Sequence, residues 1–208
     1  IVGTTSTMLS RQYLFNVKHF SLAIVDESSQ ILEPDLIGLL AAHGGEYKDG
    51  LAIDRFVLIG DHKQLPAVVQ QSVAASEVDD PLLLGIHLDD CRNSLFERLI
   101  KTERAAGRTD FIGTLRKQGR MHPEVAEFPN KMFYQRERLQ PVPCPHQEET
   151  TLGYDAPALD DRDEQLKTHR MIYVESPLCK RPGLSDKVNP AEAKIVADMV
   201  RRIHRFYG

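Results

Sequence analysis

Cysteine is scarce in this chain and poorly placed for structural use. Cys91, Cys144 and Cys179 are its three cysteines, far apart and odd in number. They form neither a CxxC pair nor a zinc-ligand spacing. That favours a reducing, intracellular setting, here cytoplasmic, over a disulfide scaffold. The eight histidines also lack a metal-ligand spacing. No apolar run is long enough to span a bilayer, so no membrane partner is expected. No signal peptide is visible, and Ile1 stands where a start methionine would. The chain therefore reads as an excised piece, for which missing targeting signals mean little. Strong charge of one sign is missing too: 26 Lys and Arg against 30 Asp and Glu give a formal net charge of -4. There is thus no overall electrostatic case for nucleic acid, although a local basic groove needs only clustering. No internal repeat stands out.

What is present is ordinary for a soluble α/β protein: 41% apolar and 27% charged residues in a chain of 208. That length suggests one or two domains and could bury roughly 70% of the unfolded surface.

The organising stretch is Leu22-Ala23-Ile24-Val25-Asp26-Glu27-Ser28-Ser29-Gln30. An apolar run ends abruptly in two adjacent carboxylates. A buried parallel strand reads this way when it delivers acids to the rim of a sheet, where open α/β sheets bind ligands. Adjacent acids can divide labour at a phosphate site. One holds Mg²⁺, and the other positions or deprotonates a water. Taken alone, the pair also reads as a strand running out into solvent.

In chain order, Ile1 to Thr7 predicts a short strand entering a hydroxyl-rich turn, and Tyr13 to His19 a connector. Phe20 to Val25 is the acid-bearing strand. Pro34 fits the first position of a helix with Leu36, Ile37, Leu39 and Leu40 as its apolar face, stopped by Gly44-Gly45. Arg55 to Asp61 is a second strand ending in an acid, so the pattern is a βαβ unit with parallel pairing. Val69 to Leu88 is irregular. Ser94-Leu95-Phe96-Glu97 is a capping box opening a helix with Leu95, Phe96, Leu99 and Ile100 on one face. Ala105 to Arg108 is the expected domain boundary, giving units 1–108 and 109–208. Asp110 to Leu115 predicts another strand, and Pro123 to Phe133 a helix interrupted at Pro129. Cys144 to Gln165 reads as a solvated loop or insertion, and His169 to Val174 as a strand. Asn189-Pro190-Ala191-Glu192 opens the last helix, with Ile195, Val196, Met199, Val200 and Ile203 facing the core.

Two further constellations carry chemistry. Gly60-Asp61-His62-Lys63-Gln64-Leu65-Pro66 follows its strand as Asp26-Glu27 follows the first. In a parallel sheet both loops leave at one edge, so their side chains can converge. A glutamine there can hold a water or phosphate oxygen without adding charge. The stretch also reads as a polar strand-to-helix turn. Gln118-Gly119-Arg120-Met121-His122-Pro123 places an arginine just before a helix. An arginine from a second domain can stabilise phosphate charge in a transition state. The alternative is a surface arginine in a salt bridge. His122 by itself reads as structural.

Together these stretches resemble the superfamily 1 helicases, in the branch typified by the up-frameshift RNA-decay helicases. That family's DEAxQ or DEASQ is here Asp26 to Gln30, its GDHKQLPP is Gly60 to Pro66 followed by Ala67, and its QYRMHP is Gln118 to Pro123. Ser94 to Leu99 matches its SLFERL segment. Phe128-Pro129-Asn130 and Phe133-Tyr134 resemble the FPS…FY that follows, and Asn189 to Val196 its N-x-x-E-A stretch. The matches run in the family's order from Gly3 to about Val200.

The resemblance implies two partial RecA-like units of the P-loop NTPase class, with mainly parallel sheets flanked by helices. Asp26 would coordinate Mg²⁺, and Glu27 would polarise the attacking water. Gln64 would sense the γ-phosphate, with Gly60 and Asp61 in the same nucleotide-binding loop. Gln30 would link the acid motif to its neighbours around the phosphate. Gln118 and Arg120 would approach the nucleotide from the second unit. Thr4 and Thr5 would touch the backbone of single-stranded DNA or RNA, although they also read as strand-end threonines. The implied whole is a monomeric, ATP-dependent helicase or translocase. The alternatives are an ATPase that remodels complexes without unwinding and a catalytically silent scaffold.

Three departures matter. No GxxxxGK[ST] occurs, nor does the family's later arginine motif, so this chain alone is expected not to hydrolyse ATP. Gly119 replaces the tyrosine that stacks on adenine, a contact worth ~1–3 kcal/mol in base complexes, so other nucleoside triphosphates fit as well as ATP. Ser28 replaces an alanine and is expected to be tolerated.

Overall fold

The computed structural model describes residues 1–11, 13–44, 47–177, 183, 185 and 187–207. Gly45 and Cys179 lie outside them. The chain divides into two compact units, Ile1–Gly113 and Thr114–Gly208.

In the first unit the expected opening strand is absent. Thr4 is extended (φ -78°, ψ 156°), and its hydroxyl accepts the Thr7 amide at 3.2 Å, capping helix α1 (Thr5–Ser10). A threonine hydroxyl competes for backbone donors, which suits a helix start as well as a strand end. Helix α2 (Tyr13–Val17) replaces the expected connector and buries Phe15. Strand β1 (Ala23–Val25) is preceded by a bridge from Phe20 to Ile53. Helix α3 (Glu33–Leu40) carries Pro34 in its first turn. Leu36 and Leu39 are buried, whereas Ile37 is exposed, because only one stripe of a short helix meets the core.

That helix ends at Ala41 rather than at the glycines. Gly44 instead belongs to β2 (His43–Gly44), antiparallel to β3 (Tyr47–Leu51). A Cβ on Gly44 would lie 2.2 Å from the Phe15 carbonyl oxygen, so the hairpin needs a glycine there. Strand β4 (Phe56–Leu58) pairs with β1 in parallel, Ile24 opposite Val57, as the βαβ pattern requires. Phe15, Val25, Leu36, Leu39, Ala52, Ile53 and Leu95 form the core.

Helices α4 (Val73–Ser76) and α5 (Pro81–Gly85) order part of the stretch that reads as irregular. Helix α6 (Leu95–Ala105) is capped by the Ser94 hydroxyl, which accepts the Glu97 amide at 3.2 Å. The Glu97 carboxylate pairs with Lys101 at 2.9 Å instead of reaching back, so half of the capping box forms. Arg98 clamps α6 to α3. Its Nε lies 2.8 Å and its second amino nitrogen 2.5 Å from the carboxylate of Glu33, and both side chains are nearly buried. Removing one partner of a buried pair leaves the other charged and unsolvated. Arg98→Ala is therefore expected to cost about 3–5 kcal/mol in urea unfolding. An Arg98→Met, Glu33→Leu double variant should recover most of that loss. A double variant no better than Arg98→Ala would show that the charge is not the cause.

Before the second unit, Asp110 and Phe111 form a turn and Ile112 to Leu115 adopts no strand, with Phe111 and Leu115 exposed. An apolar run without a neighbour to pair with stays out of a ladder. Strand β5 (Lys117–Gln118) pairs in parallel with β6 (Gln140–Pro141). Helix α7 (Pro123–Met132) runs through Pro129 without breaking, and the Pro129 carbonyl accepts the amides of Phe133 and Tyr134 at 2.8 and 3.0 Å.

The acidic stretch 144–165, which reads as a solvated loop or insertion, is largely exposed but carries local structure. It holds helix α8 (Pro145–Glu148) and the start of α9 (Asp161–Thr168), and buries Gln147 and Asp163. His169 to Val174 alternates between half-buried and exposed residues but pairs with no strand among the described residues. Helix α10 (Pro190–Phe206) starts as the sequence predicts. The Asn189 side chain accepts the Ala191 and Glu192 amides at 3.1 and 3.4 Å. Ile195, Met199, Ile203 and Phe206 turn inward, whereas Val196 and Val200 are exposed.

Arg202 ties α10 to α9, bonding Asp160 at 2.7 Å and the fully buried Asp163 at 2.8 Å, and Arg205 also reaches Asp163. Burial pushes the Asp163 carboxyl up. The Leu159 amide and the two guanidiniums outweigh it and leave the group below the usual carboxylate range.

Candidate functional site

The candidate site of the first unit grows from the parallel pair β1–β4. Val25 is buried and its carbonyl accepts the Ile59 amide at 2.8 Å. One residue later the chain leaves the sheet, and Asp26 and Glu27 are exposed at its carboxyl edge. Glu27 adopts a left-handed conformation (φ 51°, ψ 32°) and opens a 3₁₀ turn over Ser28–Gln30. A non-glycine residue there costs roughly 1–2 kcal/mol. The turn offsets that cost with local bonds. The Glu27 amide donates to Asp26 Oδ1 at 2.9 Å, the Gln30 amide donates to the Glu27 carbonyl at 2.9 Å, and Gln30 Nε2 donates to Glu27 Oε2 at 3.2 Å. Asp26, Glu27 and Gln30 thus form one cluster.

The second loop is stitched to the first by two serines. The amide and hydroxyl of Ser28 both donate to the Ile59 carbonyl at 2.8 Å. The Asp61 amide donates to Ser29 Oγ at 3.0 Å. Both serines are buried. Sequence reasoning treated Ser28 as a tolerated substitution and did not single out Ser29. Two adjacent small hydroxyl residues after the acids were the available signal. Gly60 sits where the loops touch. A Cβ there would lie 2.8 Å from the Ser29 nitrogen and 3.0 Å from its hydroxyl. Gly60→Ala is therefore expected to cost ~1–3 kcal/mol, as overpacking does, read as a lower urea midpoint. An unchanged midpoint would show that the loops separate freely.

Asp61 organises the rest of its loop. Its carboxylate accepts the Lys63 amide at 3.0 Å and Gln64 Nε2 at 3.1 Å. Gln64 is exposed and reaches Asp61 rather than the acid pair. His62 is half-buried, its ring centroid 6.4 Å from that of Phe96 on α6. Burial pushes its imidazole pKa down, against the pull of Glu97 and Asp61.

Asp26 suits a hard cation. It is exposed, one oxygen takes the Glu27 amide, and the other is open to an ion. Mg²⁺ characteristically takes one or two carboxylates and completes its octahedron with water and phosphate oxygens. Among the described residues no group of three or more His, Cys, Asp or Glu is placed to hold a metal by itself. Thr4 and Thr5 lie at the head of α1. The Thr4 hydroxyl is engaged with Thr7, whose Oγ1 it meets at 2.8 Å.

The second unit carries its own group of candidate residues. Gln118 ends β5, and its side chain closes the next turn. Oε1 accepts the amides of Arg120 and Met121 at 2.9 and 2.6 Å, and Nε2 donates to the Met121 carbonyl at 2.7 Å. The buried Gln147, from the stretch read as a solvated loop, braces the same turn by donating to the Gln118 and Met121 carbonyls at 2.9 and 2.8 Å. His122 is structural here. Its Nδ1 accepts the Glu124 amide at 3.2 Å and caps α7. Arg120 is exposed, and its guanidinium has no partner among the described residues. Gly119 is not demanded by the backbone. A Cβ there meets just the Cys144 sulfur, at 3.8 Å.

Two family models described as AAA domain match this chain, one over residues 1–72 and the other over residues 91–207. The DNA replication ATP-dependent helicase/nuclease DNA2 of Gallus gallus is 34% identical over 134 residues, covering 64% of this chain and 11% of the relative. The regulator of nonsense transcripts 1 homolog of Neurospora crassa is 34% identical over 134 residues, 64% of this chain and 9% of the relative. The DNA polymerase alpha-associated DNA helicase A of Saccharomyces cerevisiae is 26% identical over 201 residues, 92% of this chain and 26% of the relative. The chain thus spans about a tenth to a quarter of the length of these relatives.

Proposed function

The chain belongs to the AAA-domain family, in its superfamily 1, up-frameshift-like branch, and from that premise we propose that it forms part of an ATP-dependent motor on single-stranded nucleic acid. The observation that carries the reading is the joining of two strand-end loops at one sheet edge. Ser28 and Ser29 hold Asp26, Glu27 and Gln30 against the loop of Gly60, Asp61 and Gln64. A nucleoside triphosphate needs such convergence of a metal-binding carboxylate, a base and a neutral amide.

Asp26 would hold a Mg²⁺ ion, which would supply shielding of the phosphate charge. Glu27 takes the proton of the attacking water, its carboxylate steadied by Gln30. Gln64 reads the terminal phosphate, and Asp61 keeps its amide oriented while the site is empty. In the second unit Arg120 presents positive charge on the turn that Gln118 shapes. Thr5 offers its hydroxyl to the nucleic-acid backbone, and Thr4 does so once its hydroxyl leaves Thr7. Gly119 leaves the base without a stacking ring, so ATP and GTP both serve. The working unit is a monomer.

The test is nucleotide hydrolysis by the full-length protein, with and without single-stranded DNA and RNA. Stimulation by either strand is the expected result, and the better activator identifies the track. Equal rates with and without strand would remove the motor, and strand displacement separates unwinding from remodelling.

A further inference from the structure

The turn that carries Arg120 is held by a residue outside its own motif, and stability alone explains that residue poorly. Gln147 lies on α8 and is 4% exposed. The chain reaches it by folding back from β6. The Val142 amide donates to the Gln118 carbonyl at 3.0 Å, and α8 begins at Pro145. Gln147 Nε2 then donates to the Gln118 and Met121 carbonyls at 2.9 and 2.8 Å. Neither carbonyl needs this donor. The first already takes the Val142 amide, and the second takes Gln118 Nε2 at 2.7 Å. Gln147 Oε1, by contrast, is buried and has no partner among the described residues. A buried acceptor left without a donor is a net cost to folding. For stability, an apolar side chain of the same volume would serve as well or better.

What the amide adds is restraint. It ties residue 118 to residue 121 from outside, across the two residues between them, Gly119 and Arg120. The brace is itself anchored. Just past α8 the Glu149 carbonyl accepts His122 Nε2 at 3.1 Å and the Arg170 guanidinium at 2.8 Å, and Arg170 also donates to the Thr151 carbonyl at 3.0 Å. His122 Nδ1 takes the Glu124 amide, so the ring proton sits on Nε2, as the bond to Glu149 requires. The segment 142–151 is thus fastened to both ends of the motif, Gln118 and His122.

We propose that Gln147 is a positioning residue for nucleotide hydrolysis, fixing the turn from Gln118 to Met121 so that Arg120 meets phosphate without rearranging. This rests on the reading of Arg120 as the residue that approaches the nucleotide. A charge held in place stabilises a transition state with no reorganisation at the moment of reaction. A misplacement of about 1 Å costs on the order of 10²-fold in rate. Gln147 acts only through the turn.

The test is a double-variant cycle in the full-length protein, read as kcat and KM for ATP with single-stranded DNA or RNA present. Gln147→Met keeps the volume and removes both donors. It is expected to lower kcat on the order of 10²-fold, with KM within a few-fold and the urea midpoint at or above the parent's. Added to Arg120→Ala, it should cost nothing further, because a brace has no work once the charge is gone. If Gln147→Met does not fold, Gln147→Asn, whose shorter amide cannot span both carbonyls, should show the same pattern with a smaller loss. A full further loss on top of Arg120→Ala overturns the proposal and makes Gln147 a stabilising residue of its unit. So does a parent-like kcat in the Gln147 variants while Arg120→Ala is impaired. A parent-like kcat in Arg120→Ala itself strikes the reading of Arg120, and the proposal falls with it.

Discussion

Glu27→Gln in the full-length protein is expected to lower kcat for nucleic-acid-stimulated ATP hydrolysis by roughly 10²–10⁴, the range for loss of a general base. The substitution isolates chemistry from folding. Glutamine has the same shape, its amide oxygen can still accept from Gln30 Nε2, now 3.2 Å from the carboxylate, and its backbone meets the left-handed position no worse than glutamate does. The carboxylate is exposed and supports no buried contact, so the unfolding midpoint should hold. The missing capability is accepting a proton, which an amide does not do at neutral pH. KM for ATP should stay within a few-fold, because a group that acts on the water contributes to the transition state rather than to ground-state binding. Steady-state kinetics with single-stranded DNA or RNA present would decide it. A variant keeping a tenth or more of the parent kcat would remove Glu27 from the role and leave it as a partner of Gln30.

The sequence carried the parts of this fold and site that local chemistry decides. Two apolar runs ending in acids, separated by a proline-started helix, suffice for β1, α3 and β4, because parallel pairing through a crossover leaves few arrangements. The caps Ser94 and Asn189 were legible for the same reason: a hydroxyl or amide before a helical apolar stripe has one good use. Features that depend on distant atoms were not legible. The hairpin around Gly44 exists because the Phe15 backbone approaches it. Buried Asp163 and Gln147 sit in a stretch whose composition says solvent, because two arginines on α10 meet the carboxylate and the Gln118 and Met121 carbonyls take the Gln147 amide nitrogen. Asp110–Leu115 and His169–Val174 have the residue types of strands but pair with none among the described residues, since propensity describes fit to a neighbour rather than a backbone habit. In the site the acids and glutamines were visible as motifs, whereas the stitching by Ser28 and Ser29 appears only where the two loops meet.

Arg120→Ala is expected to lower kcat by roughly 10³–10⁵, the range for an arginine that stabilises charge on a transferring phosphoryl group. From sequence alone a surface salt bridge is the usual reading of a lone arginine. The guanidinium is exposed and has no partner among the described residues. The backbone around it is anything but free. Gln118 spends both ends of its amide on the turn, and the buried Gln147 donates twice to the same carbonyls. A rigid turn that presents an unpaired cation is poorly explained by stability, since a lone exposed charge contributes almost nothing to it. It is well explained by a bound anion, because a positioned charge need not be reorganised when the reaction demands it. Arg120→Lys separates charge from geometry. A point-charge ammonium lacks the planar fork that meets two phosphate oxygens, so it should recover only a small part of the loss. Both variants should unfold at the parent's midpoint, because neither removes a contact. If Arg120→Ala stays within about ten-fold of the parent kcat, Arg120 takes no part in the chemistry, and the braced turn would need another anionic partner to account for it.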